Sequence, residues 1–421
     1  MAASAESREY QTTTSLSPQS DETRVLWHNT IMTSTATRRP ALDGLRGLAA
    51  LVVVISHCLV VAPVFAGTLR FIPPPAGSWE WFLTYTPLHV FWAGEEAVFI
   101  FFVLSGLVLT LPAAGGHQIN LRSYYVKRLI RLYLPVLAAS ILAVIAIYAI
   151  PRRPHNGSSW WLLSHDTSVN LQEFLTTIFV LQGGTGLLGV LWSLKWEVIF
   201  SLSLPIFFFL FLRRNRWLAL QVPILLALII AGQRTEHNTL IYLPIFAFGV
   251  LMANDLKRLE WLGSKFDNLV WVIKAGLVAV FVGLLTARWW LPFVPGVPTS
   301  HKADAAELQM TLVGACFIVW LFLSTTWGRN VGTHPVLRQL GKRSFSLYLV
   351  HEPVVVSVAY YFHGVVNELI VLLIAVPISI ILAEFFGKFV EEPSRKLAEA
   401  AGRRMNTARV PLLNQQLGKV R

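Results

Sequence analysis

Charge is scarce in this chain. Of its 421 residues only 14% are Asp, Glu, Lys or Arg, against about a quarter in an ordinary soluble domain. Cysteine is scarcer: Cys58 and Cys316 are the two present, both in apolar stretches, which leaves no disulfide framework and no Cys pair for zinc. Cys58 adjoins His57, but neighbours on a helix point ~100° apart, which argues against a Cys–His nucleophile pair on one helix. There is no His-Glu-x-x-His, no Walker or Rossmann glycine loop and no Gly-x-Ser-x-Gly elbow. Zincin, nucleotide-binding and α/β-hydrolase chemistry therefore lack their signatures, and no metal site is expected. A cleavable signal peptide and internal repeats are not evident either.

Apolar residues fill the space. They make up 54% of the chain, and the mean hydropathy is +0.56. Stretches of spanning length recur, so the expected fold is all-α, a polytopic helical membrane bundle of about ten helices. The expected spans are 42–63, 89–111, 129–150, 193–212, 217–232, 239–253, 269–290, 308–327, 344–362 and 365–389. Residues 171–182 are apolar but too short to cross, and read as interfacial or re-entrant. Residues 1–40 are polar, rich in Ser, Thr and Ala, and expected to be disordered and cytosolic. The membrane domain is expected over 41–393, with 394–421 as a basic cytosolic tail. The largest outer loop, 151–192, is too small for a separate enzyme domain.

The net charge is +12. Nucleic acid is not the expected partner, because the positive-inside rule accounts for the excess. With a cytosolic N-terminus, 24 of the 35 Lys and Arg fall in cytosolic segments and 5 in outer loops. Both termini are then cytosolic.

Arg46 and His57 share the first span. Positions i and i+11 fall on nearly one helix face, ~16 Å apart along the axis. An ionisable group inside a span is costly and marks a functional site by default; the alternative is a histidine packed between helices. Counting inward at ~1.5 Å per residue puts His57 roughly 8 Å below the outer surface. Glu95 and Glu96 of the second span reach similar depth, and Glu197 of the fourth lies nearby. A carboxylate beside imidazole raises its basicity, as a general base requires. The alternative is that these carboxylates pair with Lys or snorkel. Arg128 and Arg131, about one turn apart at the inner mouth of the third span, suit a phosphate clamp or serve as topology markers. His351, Ser344, Ser346 and Tyr348 bring polar groups into the ninth span, for a substrate channel or a hydrogen-bond network.

Taken together, these motifs resemble the acyltransferase-3 family of multi-pass membrane O-acyltransferases. Leu42-Asp43-Gly44-Leu45-Arg46-Gly47-Leu48-Ala49-Ala50, reaching on to His57, is similar to its opening motif. Phe101-Phe102-Val103-Leu104-Ser105-Gly106 resembles the second-span signature. Tyr124-Tyr125-Val126-Lys127-Arg128-Leu129-Ile130-Arg131 with Pro135 resembles the basic start of the third span. Trp192-Ser193-Leu194-Lys195-Trp196-Glu197 resembles the Trp-Ser-Leu-x-x-Glu motif. Ser344-Phe345-Ser346-Leu347-Tyr348-Leu349-Val350-His351 and Glu391-Glu392-Pro393 resemble the closing motifs. One departure is Phe99, where many members carry an acid; Glu96, about one turn earlier, is the candidate substitute.

The resemblance implies an O-acyltransferase using acyl-CoA, most often acetyl-CoA, as co-substrate, with no permanently bound cofactor. Arg46, Arg128 and Arg131 would bind the donor. His57 would be the base, oriented by Glu197 or Glu96. Ser105, Trp192, Ser193, Tyr348 and His351 would line the substrate channel. The acceptor would be a hydroxyl on a cell-surface carbohydrate, lipid or secondary metabolite, and the location the plasma membrane. No fused esterase-like domain is visible, so any second transfer step would need a partner. The rival reading is a proton-coupled transporter using the same His, Glu and Arg groups, although the paired halves that would mark it are not seen.

Overall fold

The computed structural model describes residues 39–153, 155–212, 218–294, 304–362 and 367–407. The segments expected to be disordered (1–38) and to end the basic tail (408–421) lie outside the described residues. Among the described residues there is no strand. The main helices are α1 (Pro40–Leu59), α2 (Gly94–Ala114), α3 (Leu121–Ala149), α4 (Leu191–Phe211), α5 (Leu218–Thr235), α6 (Asn238–Asn254), α7 (Leu256–Asp267), α8 (Trp271–Leu285), α9 (Ala287–Trp290), α10 (Asp304–Ser324), α11 (Thr326–Gly332), α12 (Pro335–Lys342), α13 (Ser344–Tyr361), α14 (Glu368–Phe386) and α15 (Glu392–Thr407).

Seven helices among the described residues are long and apolar enough to cross a membrane, or nine if each of two bent pairs is one span. One bent pair corrects an expected span: the stretch expected as 269–290 breaks after α8 with a 71° bend, whereas α6 coincides with the expected 239–253 and then turns by 80° into α7. The second span starts at Gly94 rather than His89, because Pro87–Phe91 forms a 3-10 turn. Glu95 and Glu96 then sit in the first turn of α2, where the helix dipole favours acids. The third begins at Leu121, capped by Asn120, so Arg128 lies roughly 10 Å into the helix rather than at its mouth.

Helix α13, expected as the ninth span, does not reach the apolarity of the others. Fifteen of its 18 residues are buried, so protein rather than lipid surrounds it. Polar residues are tolerated there because neighbouring helices satisfy them. Helix α15 shows that the presumed tail begins as packed structure: Ser123 Oγ of α3 donates to Gly402 O at 3.0 Å.

Glycine contacts seat α12, which leads into α13, against α1. A Cβ on Gly341 would run into the backbone carbonyl of Asp43, and one on Gly47 would collide with the backbone at Leu337 and Gly341. The backbones touch there because no side chain intervenes. Ten residues further on in each segment stand His57 and His351. The two rings meet there, with centroids 5.0 Å apart.

Residues 151–190 fold back over this face. They carry short helices at Trp160–Leu163 and Leu171–Ile178, the second closed by an Asn170/Glu173 capping box. Ser159 Oγ donates to Val60 O at 2.9 Å and Trp160 Nε1 to Ala66 O at 2.7 Å. These bonds fasten the loop beside the C-terminal end of α1.

Candidate active site

His57 Nδ1 lies 2.9 Å from His351 Nε2. The ring planes are near-parallel, 17° apart, with centroids separated by 5.0 Å. His351 Nδ1 stands 3.0 Å from Leu347 O, one helical turn back. A carbonyl oxygen only accepts, so His351 Nδ1 carries a proton. In neutral His351, Nε2 is then a lone pair, and the proton between the rings belongs to His57 Nδ1. Neutral His57 is left with its lone pair on Nε2. One backbone carbonyl thus sets both tautomers. His351 is fully buried, whereas His57 keeps partial exposure. His57 is the member of the pair that a reactant can reach.

Beside the pair lies the loop that joins α3 to α4. Trp161 packs against His57 with ring centroids 5.1 Å apart. His165 Nδ1 stands 2.9 Å from Trp161 O, and its Nε2 lies 3.0 Å from Glu352 Oε1. The other oxygen of Glu352 accepts from Val190 N at 3.0 Å. Tyr348 Oη donates to Val190 O at 3.0 Å and lies 2.6 Å from Ser193 Oγ. The start of α4 is therefore clamped to α13 through both polar groups of one residue, Val190.

A second cluster lies toward the N-terminal end of α1. Glu197 pairs with Arg128 and accepts from Ser105 Oγ at 3.3 Å. Arg128 Nε also donates to Ser201 Oγ at 3.0 Å. Arg46 lies within electrostatic reach of Glu197, Asp43 and Arg128. Arg131 lies within reach of Arg128, Arg46, Glu391 and Arg395. Four guanidinium groups from α1, α3 and α15 thus converge with three carboxylates. Arg395 was not anticipated from sequence. The closing motifs support this end: Ser346 Oγ donates to Glu391 at 2.6 Å, and Arg343 bridges Glu384 and Glu392 at 2.9 and 2.7 Å.

The expected carboxylate partners of His57 do not hold it. Glu197 is taken by Arg128 and Ser105. Glu197 lies about 9 Å into α4, whose start is Leu191, and meets Arg128 of α3 there rather than His57. Glu96 faces α9 instead, accepting from Trp289 Nε1 at 2.7 Å. Beside it, Glu95 pairs with Arg288 at 2.7 Å. His89 stands 4.0 Å from Glu96, but burial and then Arg288 hold its imidazole well below the ordinary value, so it is neutral and this is no ion pair. Phe99 is buried in the apolar core. Trp192, placed in the channel, packs against Tyr242 with centroids 5.5 Å apart.

Sequence reasoning missed Glu352 and His165. Glu352 carried a signal, a carboxylate adjoining His351 in an apolar run. His165 carried none, since nothing in a polar loop says that it folds back to a membrane helix.

The acyltransferase domain profile of the acyltransferase-3 family matches residues 39–384. The peptidoglycan O-acetyltransferase OatA of Listeria monocytogenes is 24% identical over 393 residues, covering 85% of this chain and 56% of that protein. A Staphylococcus aureus relative is 25% identical over 389 residues, covering 85% of this chain and 57% of its own. The acyltransferase MdmB of Streptomyces mycarofaciens is 26% identical over 338 residues, with 75% and 78% covered. The chain thus spans a little over half the length of the first two. No solved structure matches it.

Proposed function

This chain belongs to the acyltransferase-3 family, and from that membership we propose that it is a membrane O-acyltransferase taking its acyl group, an acetyl group first of all, from acyl-CoA. The observation that carries the reading is the His57–His351 pair, whose tautomers leave a lone pair on the accessible nitrogen of His57. A general base needs that arrangement. The acceptor hydroxyl attacks the thioester carbonyl while His57 Nε2 takes its proton. The carbon–sulfur bond breaks, and the same proton passes from His57 to the departing thiolate. The products are an ester and free CoA, with His57 restored.

The converging Arg46, Arg128, Arg131 and Arg395 suit the phosphates of CoA, since guanidinium groups match phosphate geometry. Arg46, the member on α1, lies about 16 Å along that helix from His57, a span that an extended pantetheine arm bridges. The distribution of Lys and Arg supports a cytosolic N-terminus, with the donor arriving from the cytosol and the acceptor from the outer side of the plasma membrane. For the acceptor we place a cell-surface carbohydrate first, because one relative is named for peptidoglycan; lipids and secondary metabolites are the other hydroxyl-bearing classes. Family membership leaves the transporter reading without support.

The test is mass spectrometry of surface glycans, lipids and small metabolites from a deletion strain. Acyl esters should disappear, return with the wild-type gene, and stay absent with His57→Ala, whose transfer rate should fall on the order of 10²-fold or more. An unchanged ester profile in the deletion strain would refute the reading.

A further inference from the structure

His57 becomes a cation when it takes the acceptor's proton, and its hydrogen-bond partner is a neutral ring rather than a carboxylate. The nearest acid fixed in the same network is Glu352, the residue after His351 on α13, only 2% exposed. Its surroundings show that it shares a proton with His165. His165 Nδ1 faces Trp161 O and must carry a proton. If His165 were neutral, its Nε2 would be a lone pair facing Glu352 Oε1 at 3.0 Å. Two acceptors repel at that distance, so a proton lies between them. The other oxygen of Glu352 has a backbone donor, Val190 N–H, which favours the ionised form. Gly189 leaves room for this contact, because a Cβ there would stand 2.6 Å from Glu352 Oε1.

We propose that Glu352 is the counter-charge for the imidazolium formed at His57, and that His165 of the loop that joins α3 to α4 keeps that carboxylate ionised and in place by holding the proton between them. Both are positioning residues, and the inference rests on the acyltransferase reading above. His165 bears the proton as imidazolium, Glu352 the negative charge, and the pair as a whole is neutral. When His57 protonates, the carboxylate beside His351 stabilises the new charge inside a low-dielectric setting, where such stabilisation is strongest. The other ionisable groups facing the pair are His57, His351, Tyr348, Arg152 and Asp166. Arg152 donates to Asp166 O at 2.6 Å, so it ties down the loop that carries His165. That loop therefore completes the site electrostatically as well as covering it.

Glu352→Gln separates charge from packing. The amide oxygen accepts from Val190 N–H and the amide nitrogen donates to a neutral His165, so every hydrogen bond survives while the shared proton and the charge are gone. We expect kcat to fall at least about tenfold, with KM for acetyl-CoA and the thermal midpoint unchanged. The assay uses purified protein in proteoliposomes with radiolabelled acetyl-CoA and an envelope extract as acceptor. His165→Gln should lower kcat likewise, and the double variant should fall no further than either single one, since the two act as a unit. Wild-type kcat in Glu352→Gln overturns the proposal. Should that variant not accumulate, wild-type kcat in His165→Gln overturns it equally. Active wild type with dead His57→Ala and active Glu352→Gln sinks this inference alone; inactive wild type, or active His57→Ala, sinks the acyltransferase reading with it.

Discussion

Replacing His351 by Phe tests the histidine pair most directly. The new ring fills nearly the same buried volume, so packing changes little. His57 Nδ1 loses its only recorded hydrogen-bond partner, at 2.9 Å, and nothing then selects the tautomer with its lone pair on Nε2. During reaction the lost contact is a hydrogen bond from an imidazolium, worth about 1.5–3 kcal/mol. At about 1.4 kcal/mol per tenfold, kcat should drop roughly 10- to 150-fold. KM for acyl-CoA should hold, because Arg46 of the arginine cluster lies about 16 Å away along α1. Steady-state kinetics in proteoliposomes, varying acetyl-CoA at fixed acceptor, separates the two parameters. A kcat within about threefold of wild type, in a protein of unchanged thermal midpoint, would refute the claim that His351 sets the state of His57.

Further outcomes follow from other parts of the structure. Arg131→Ala should raise KM for acyl-CoA severalfold while kcat changes little; unaltered KM and unaltered labelled-CoA binding would reduce the cluster to a topology signal. Gly341→Ala forces a methyl group onto the Asp43 carbonyl, so both thermal midpoint and kcat should fall as α12, and α13 after it, is pushed off α1. Gly276→Ala is the control, since nothing lies within 4 Å of a Cβ there; equal damage in both would refute the register explanation. With Cys58 and Cys316 replaced, an impermeant thiol reagent outside intact cells should label Asn156→Cys and not Ser264→Cys. The reverse pattern would invert the proposed orientation.

Local composition is enough to determine most of the helical scaffold. Apolar runs of about twenty residues have few alternatives to helices in a bilayer, because each backbone polar group must be satisfied within its own segment. The i, i+11 relation of Arg46 and His57 is equally local, being a property of one helix. Helix α13 was legible as a helix but not as a nearly enclosed one. Its Ser, His and Glu residues make sense only once neighbouring helices surround it.

What tertiary structure alone decided is the set of partners. His57 and His351 are 294 residues apart in sequence, and their meeting depends on two helix backbones touching at Gly47 and Gly341. Depth along a span restricts a residue to a layer, but says nothing about direction within that layer. Glu96 therefore turns toward Trp289, and Glu197 toward Arg128, although both were reasonable neighbours for an imidazole. The loop that joins α3 to α4 shows the same limit more sharply. Hydropathy marks it as a connection between spans, yet hydrogen bonds to Val60 and Ala66 hold it where His165 meets Glu352. Periodicity reports the environment of each segment separately, whereas the site consists of contacts between segments, and those are set by backbone approach and packing.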